Sequence, residues 1–259
     1  MNKVLSGKTV VVTRAVEQAR EFIDALKDAG AEVIHIPTIE FTAPDSWGAC
    51  DNAIDQLSNY DWFIFTSTNG VRFFVQRLQE RDTSIDKLKT RQIAVVGERT
   101  ADELTKLGVS VDLIPKTYSA EGLLECFATE TLNGANILIP KAREGREVLE
   151  HGLRARGATV DAVPVYKTQA AKPPGFITEK MNGHHIDLLT FTSPSTFRNL
   201  LEMIGEEQIH IWKRQGTAIA AIGPVTADAI TKQGFHVEIL PQTSTIEGLM
   251  EEIVRHYQS

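Results

Sequence analysis

Two hydrophobic periods alternate along the chain. Short apolar runs, of which Thr9-Val10-Val11-Val12-Thr13 is the first, are what a strand buried on both faces requires. Between such runs, apolar residues recur every three or four positions, as a helix with one buried face requires. In the first half this predicts strands at residues 9–13, 32–37, 62–66, 93–96 and 111–114. It predicts helices over residues 15–29, 70–79, 100–107 and 120–129, the first closed by Gly30 at a C-cap position. Connections of this length between successive strands are crossovers, and crossovers build parallel sheets. The expected class is α/β, with small doubly wound sheets that are flavodoxin-like in strand count.

The pattern then repeats, which points to an internal duplication. At an offset of 127, Ala15, Glu17, Leu26, Gly30, Ala31, Val33 and Pro37 meet Ala142, Glu144, Leu153, Gly157, Ala158, Val160 and Pro164. At an offset of 126, Phe65-Thr66-Ser67 meets Phe191-Thr192-Ser193, and Thr100-Ala101-Asp102 meets Thr226-Ala227-Asp228. Glu121-Gly122-Leu123 likewise meets Glu247-Gly248-Leu249. Periodicity leaves two ways to share the strands. Each copy forms its own domain, with a boundary near Gly134, or the strand pair of one copy joins the strand triple of the other. Exchange gives one domain of residues 1–36 and 170–259 and a second of 42–162. A two-stranded link of residues 37–41 and 163–169 then joins them. The alternating polarity of residues 36–41 and 163–168 and the long polar connections 42–60 and 169–186 favour exchange, with Lys172-Pro173-Pro174-Gly175 as a linker.

Composition narrows the function classes. The 259 residues carry 34 acids against 27 bases, so the basic excess or stripe of a nucleic-acid binder is missing. No apolar run reaches the roughly 18–20 residues that span a membrane, and the first eight residues hold no signal-peptide core. With only Cys50 and Cys126, one disulfide at most is possible, and a reduced cytoplasm is the expected compartment. Both cysteines, and Trp47, Trp62 and Trp212, read as packing residues.

Ligands of doubly wound sheets bind at the carboxyl ends of the strands, where helix N-termini present free amides. The loops there, including Thr13-Arg14, 66–70, 97–100, 140–146, 192–195 and 223–226, are rich in Ser, Thr, Gly and Pro and sparse in acids. Arg14, Lys116, Lys141, Arg143 and Arg146 lie close by. Any one hydroxyl there is explained by helix capping. Its recurrence in both copies suits a polyanionic ligand held between domains. Walker, G-x-G-x-x-G, G-x-S-x-G and H-E-x-x-H signatures are absent. The seven histidines show no metal-ligand spacing, and His184-His185 reads as surface. Tyr166 falls in the link, where neither sheet's core claims it. It is either an interdomain packing residue or a phenol that donates a proton, since its ordinary pKa near 10 keeps it protonated.

In their order and spacing these motifs resemble the uroporphyrinogen-III synthase family over nearly the whole chain. They are VVVTR at 10–14, FTS with Asn69-Gly70, VVGERTA at 95–101, PVYKT at 164–168, FTSPST at 191–196, AAIGPVTA at 220–227 and TIEGL at 245–249. The resemblance implies the exchanged two-domain arrangement, a cleft site, and hydroxymethylbilane, a linear tetrapyrrole with eight carboxylates, as substrate. Water is lost from ring A and the macrocycle closes with ring D inverted through a spirocyclic intermediate, with no metal or organic cofactor. The resemblance makes Tyr166 the proton donor. It makes Ser67, Asn69, Thr100, Ser193, Ser195 and Thr226, with Arg14 and Arg146, substrate-binding residues. Some members of the family carry Arg where Asn69 stands, and Lys141 or Arg143 is the cation expected to compensate. The expected state is a monomer acting on a small molecule. The rival reading is a non-catalytic two-domain binding or sensor protein for a carboxylated molecule. A sugar-phosphate isomerase is disfavoured, because the rims offer no His or Glu base.

Overall fold

In the computed structural model, which describes residues 3–171 and 185–258, the first apolar run is a strand buried throughout, β1 (Thr9–Val12). It is followed by α1 (Val16–Asp28), β2 (Glu32–His35), β3 (Ile39–Thr42), α2 (Gly48–Asp55), β4 (Trp62–Phe65) and α3 (Thr68–Glu80). Next come β5 (Gln92–Val95), α4 (Glu98–Lys106), α5 (Ala120–Cys126), β6 (Asn136–Ala142), α6 (Val148–Arg154) and β7 (Thr159–Ala170). The last elements are β8 (Leu188–Phe191), α7 (Pro194–Ile204), α8 (Glu206–Arg214), β9 (Ala218–Ala221), α9 (Pro224–Thr231) and α10 (Ile246–Gln258). The expected linker at Lys172–Gly175 and His184 lie outside the described residues.

The chain divides into two units, Met1–Glu40 with Gln169–Ser259, and Phe41–Thr168. In the first, four parallel strands run in the order β2-β1-β8-β9. Strand parity explains why these runs are apolar at every position. Val10 and Val12 pack with Phe22, Leu26, Leu249 and Ile253 beneath α1 and α10. Val11 packs with Leu189, Phe197, Leu200 and Trp212 beneath α7 and α8. With helices on both faces, neither parity meets water.

The second unit is built on the order β3-β7-β6-β4-β5. Phe63 and Phe65 join Phe74, Leu78 and Leu104 on one face. Trp62 and Ile64 join Phe127, Leu149 and Leu153 on the other. The strands expected at 111–114 and at its repeat equivalent are reduced to single bridges, Ala94–Leu113 and Ala220–Ile239. Each run carries an acid that takes an amide of the neighbouring strand: Asp112 accepts from Ile93 N at 2.7 Å and Glu238 from Ile219 N at 2.8 Å. Pro115 and Pro241, which lack a donor, follow. A side-chain acceptor thus replaces part of the backbone ladder.

Equivalent positions of the repeat make equivalent interactions. Asp61 Oδ2 accepts from Asn136 N at 2.8 Å, and Asp187 Oδ2 from Thr9 N at 2.9 Å. Ser119 and Thr245 cap their helices by accepting from Gly122 N and Gly248 N, both at 3.0 Å. A side chain at either glycine would collide with the carbonyl of Thr117 or Thr243, so the Glu-Gly-Leu motif is a packing requirement.

Two phenols, Tyr60 buried and Tyr257 half-buried, predict an alkaline limit to stability. Burial, then a 2.6 Å hydrogen bond to Asp161, raises the Tyr60 pKa. Burial, then Asp187 and Glu238, pushes Tyr257 up to about 12. Below the unfolded phenol value of about 10 both states hold the proton and the contribution is whole. Above it the unfolded chain releases protons first, so stability falls as pH rises through the folded values. Denaturant unfolding between pH 8 and 11.5 is expected to show ΔG falling above pH 10, by up to about 1.4 kcal/mol per pH unit per tyrosine. Tyr60→Phe is expected to flatten that slope, and a flat wild-type profile would contradict the assignment.

Candidate functional site

Sheet order reverses between β4 and β6 in the second unit and between β1 and β8 in the first. Such switch points open the crevice where doubly wound sheets bind ligands. In the second unit, Ser67 leaves β4 in an extended conformation and caps α3, its Oγ accepting from Gly70 N at 3.0 Å. The same Oγ lies 3.2 Å from the hydroxyl of Tyr166. Tyr166 reaches this point through a register shift in the β6–β7 ladder, where Lys141 pairs with Pro164 but Ala142 pairs with Tyr166. The irregularity breaks parity, so Val165 and Tyr166, though consecutive, both join one core cluster.

This corrects the expectation that neither core claims Tyr166. The residue is 8% exposed. Its ring stacks on Phe73 at 5.6 Å and 15°, and meets Phe41 edge-on at 5.8 Å and 82°. Packing and the placement of its hydroxyl are therefore compatible roles. Burial raises the phenol's pKa, the Ser67 hydrogen bond lowers it, and the negative charge of Glu144 adds to the rise. The phenol is protonated at neutral pH.

Ser67 and Tyr166 line a cavity of about 310 Å³, together with Tyr118, Lys141, Arg146 and Glu150. Of the cations proposed to compensate for Asn69, Lys141 is held by the buried Glu150 carboxylate and reaches the carbonyls of Gly145 and Arg146 at 3.5 and 3.4 Å. Arg143 is engaged by Asp45 and Glu144. Arg146, expected instead as a carboxylate partner, is 76% exposed and stands 3.7 Å from Glu121, so its head moves at less cost than either of these. Asn69 and Thr100 are buried in the first turns of α3 and α4. Pattern reading missed Glu150. Its one signal is an acid beside Leu149 and Leu153 on the buried stripe of α6.

In the first unit, Ser193 closes a capping box with Thr196, and its Oγ shares a 2.9 Å hydrogen bond with Ser195 Oγ. Thr226 is buried in the first turn of α9. The Arg14 carbonyl accepts from His35 Nε2 at 2.8 Å. Thr13 donates to the Thr190 carbonyl at 2.8 Å, tying β1 to β8 at the switch point. The structure thus brings Ser67 to Tyr166 in one unit and Ser193 to Ser195 in the other. Among the described residues, no three His, Cys, Asp or Glu side chains are grouped to hold a metal ion. No described helix is long and apolar enough to cross a membrane.

Comparison with known proteins bears on these rims. The family model described as "Uroporphyrinogen-III synthase HemD" matches residues 20–251. A uroporphyrinogen-III synthase of Synechococcus elongatus is 35% identical over 250 residues, covering 95% of this chain and 94% of its own. One of Chlorobaculum parvum is 31% identical over 243 residues, covering 91% and 93%. Among solved structures, uroporphyrinogen-III synthetase from Helicobacter pylori superposes with a TM-score of 0.63 at 16% identity, over 96% of this chain and 99% of that one. A mutant uroporphyrinogen III synthase from Thermus thermophilus gives 0.59 at 17% identity, over 97% and 99%. The structural likenesses establish a shared fold. The family-model match and the two sequence relatives show that this chain belongs to the uroporphyrinogen-III synthase family.

Proposed function

We propose that this chain, an enzyme of tetrapyrrole biosynthesis, dehydrates and cyclises hydroxymethylbilane to uroporphyrinogen III, with Tyr166 as proton donor. The observation that carries the assignment of Tyr166 is its protonated phenol, 3.2 Å from Ser67 Oγ at a switch-point cavity. The phenol gives its proton to the ring A hydroxyl. The C–O bond breaks, water leaves, and a cationic azafulvene and a phenolate remain. The substituted carbon of ring D attacks the azafulvene carbon to give the spirocycle. Cleavage and re-closure invert ring D, and the proton released when the last pyrrole regains aromaticity restores the phenol. The bilane closes unaided to the wrong isomer, so orientation dominates the protein's task.

The carboxylates are met by the helix N-termini and hydroxyls of both rims: Ser67, Asn69 and Thr100 in one, Ser193, Ser195 and Thr226 in the other. Arg146 and Arg14 supply charge. The two sheet orders, one joining a strand pair of the first half of the sequence to a pair of the second and the other joining three strands of the first half to two of the second, support exchange after duplication. Two free cysteines fit a reducing compartment.

Freshly generated hydroxymethylbilane incubated with the protein is expected to yield the type III isomer on chromatographic separation. Only the uncatalysed type I product would overturn the reading and favour a binding protein.

A further inference from the structure

Six large apolar side chains are exposed among the described residues: Val16, Ile114, Tyr118, Val148, Val225 and Leu240. Exposed apolar residues scattered singly over a surface need no explanation, but these six share one kind of place in the fold. Each follows the carboxyl end of a parallel strand or bridge. Val16 opens α1 after β1, Val148 opens α6 after β6, and Val225 is the second residue of α9 after β9. Ile114 and Leu240 follow the bridge residues Leu113 and Ile239, and they occupy equivalent positions of the repeat, 126 residues apart. Tyr118 lies beyond Ile114, its ring beside Gly97 and its hydroxyl bonded to Glu98.

The first turn of a helix favours acids and small polar caps, yet Val16 is 62% and Val225 73% exposed. Three of the six belong to each unit. Hydroxyls, amides and arginines on the same rims suit carboxylates. They leave unmatched the other half of a tetrapyrrole's chemistry, the apolar faces of its four rings and the methylene bridges between them.

We infer that in each unit these side chains are the apolar part of that unit's ligand-binding rim and pack against the pyrrole ring faces of substrate and product. The inference rests on the function proposed above. Contact of this kind removes apolar surface from water in proportion to area, and its marker is a negative heat-capacity change on binding. Carboxylate contacts are marked instead by salt dependence.

The test is anaerobic calorimetric titration of the full chain with uroporphyrinogen III at several temperatures and salt concentrations. It compares wild type with Val16→Thr/Val225→Thr/Leu240→Gln and with Ile114→Thr/Val148→Thr. Valine-to-threonine exchange at exposed positions keeps shape and leaves Tm nearly unchanged. Each variant is expected to raise Kd roughly tenfold. It is also expected to make the heat-capacity change less negative and to leave the salt dependence of Kd as in wild type. An unchanged Kd, or a raised Kd with an unchanged heat-capacity change, overturns the inference. So does loss of concentration-dependent self-association in the variants with Kd unchanged, which would assign these side chains to contact between copies. Failure of the functional reading is a separate outcome, because it shows as type I product from the wild-type protein.

Discussion

Tyr166→Phe is expected to lower kcat at least about 100-fold, the range lost with a general acid, while KM changes little. The substitution deletes one oxygen and keeps the ring that stacks on Phe73 and meets Phe41, so the fold and the rims proposed to bind carboxylates are retained. The pH profile separates this role from a merely structural one. Burial raises the phenol's pKa, so a wild-type alkaline limb due to this group lies above the ordinary phenol value of about 10, and the variant lacks it. Ser67→Ala removes the hydrogen bond that lowers that pKa, so it is expected to move the limb further upward. It also costs about 1 kcal/mol through the lost cap of α3. An unchanged kcat in Tyr166→Phe would remove the residue from the proton transfer and leave the family assignment standing.

Lys141→Met is expected to be the most destabilising single substitution of a polar side chain at the site. Its ammonium neutralises Glu150, whose side chain is 4% exposed and whose second oxygen, Oε2, has no hydrogen-bond partner among the described residues. Taking away one member of a buried pair leaves an uncompensated charge, at a cost of about 3–5 kcal/mol. For a chain of this length that is a fall in Tm of about 10 °C, readable by calorimetry. Lys141→Met/Glu150→Leu is expected to recover most of the stability, since an apolar pair removes the charge altogether. A single variant as stable as wild type would show that water reaches Glu150 and that the pair is not a buried one.

The net charge of −7 argues against a nucleic-acid partner but is no guide to whether a small polyanion can be held. Recognition of eight carboxylates needs only local amides, hydroxyls and a few cations, and a bulk count averages these against acids elsewhere. Acids that face strands illustrate the point. Asp61, Asp187, Asp112 and Glu238 each hold a backbone amide, so part of the negative charge is structural.

Sequence alone determined the α/β class, the strands buried on both faces, the repeat and the hydroxyl-rich loops at the carboxyl ends of the strands. These are local properties: period, turn chemistry and motif order are written in contiguous residues and survive any arrangement of the elements. It also marked Ser67, Ser193 and Tyr166. Tertiary structure alone decided the relations between residues far apart in the chain. It set the sheet orders and reduced two expected strands to bridges. It shifted the register that seats Tyr166 in a core while its hydroxyl meets a serine 99 residues away. It also paired Lys141 with a buried Glu150. Each of these outcomes follows from competition for the same amides, the same interior volume or the same charge, and such competition exists only once the chain has packed.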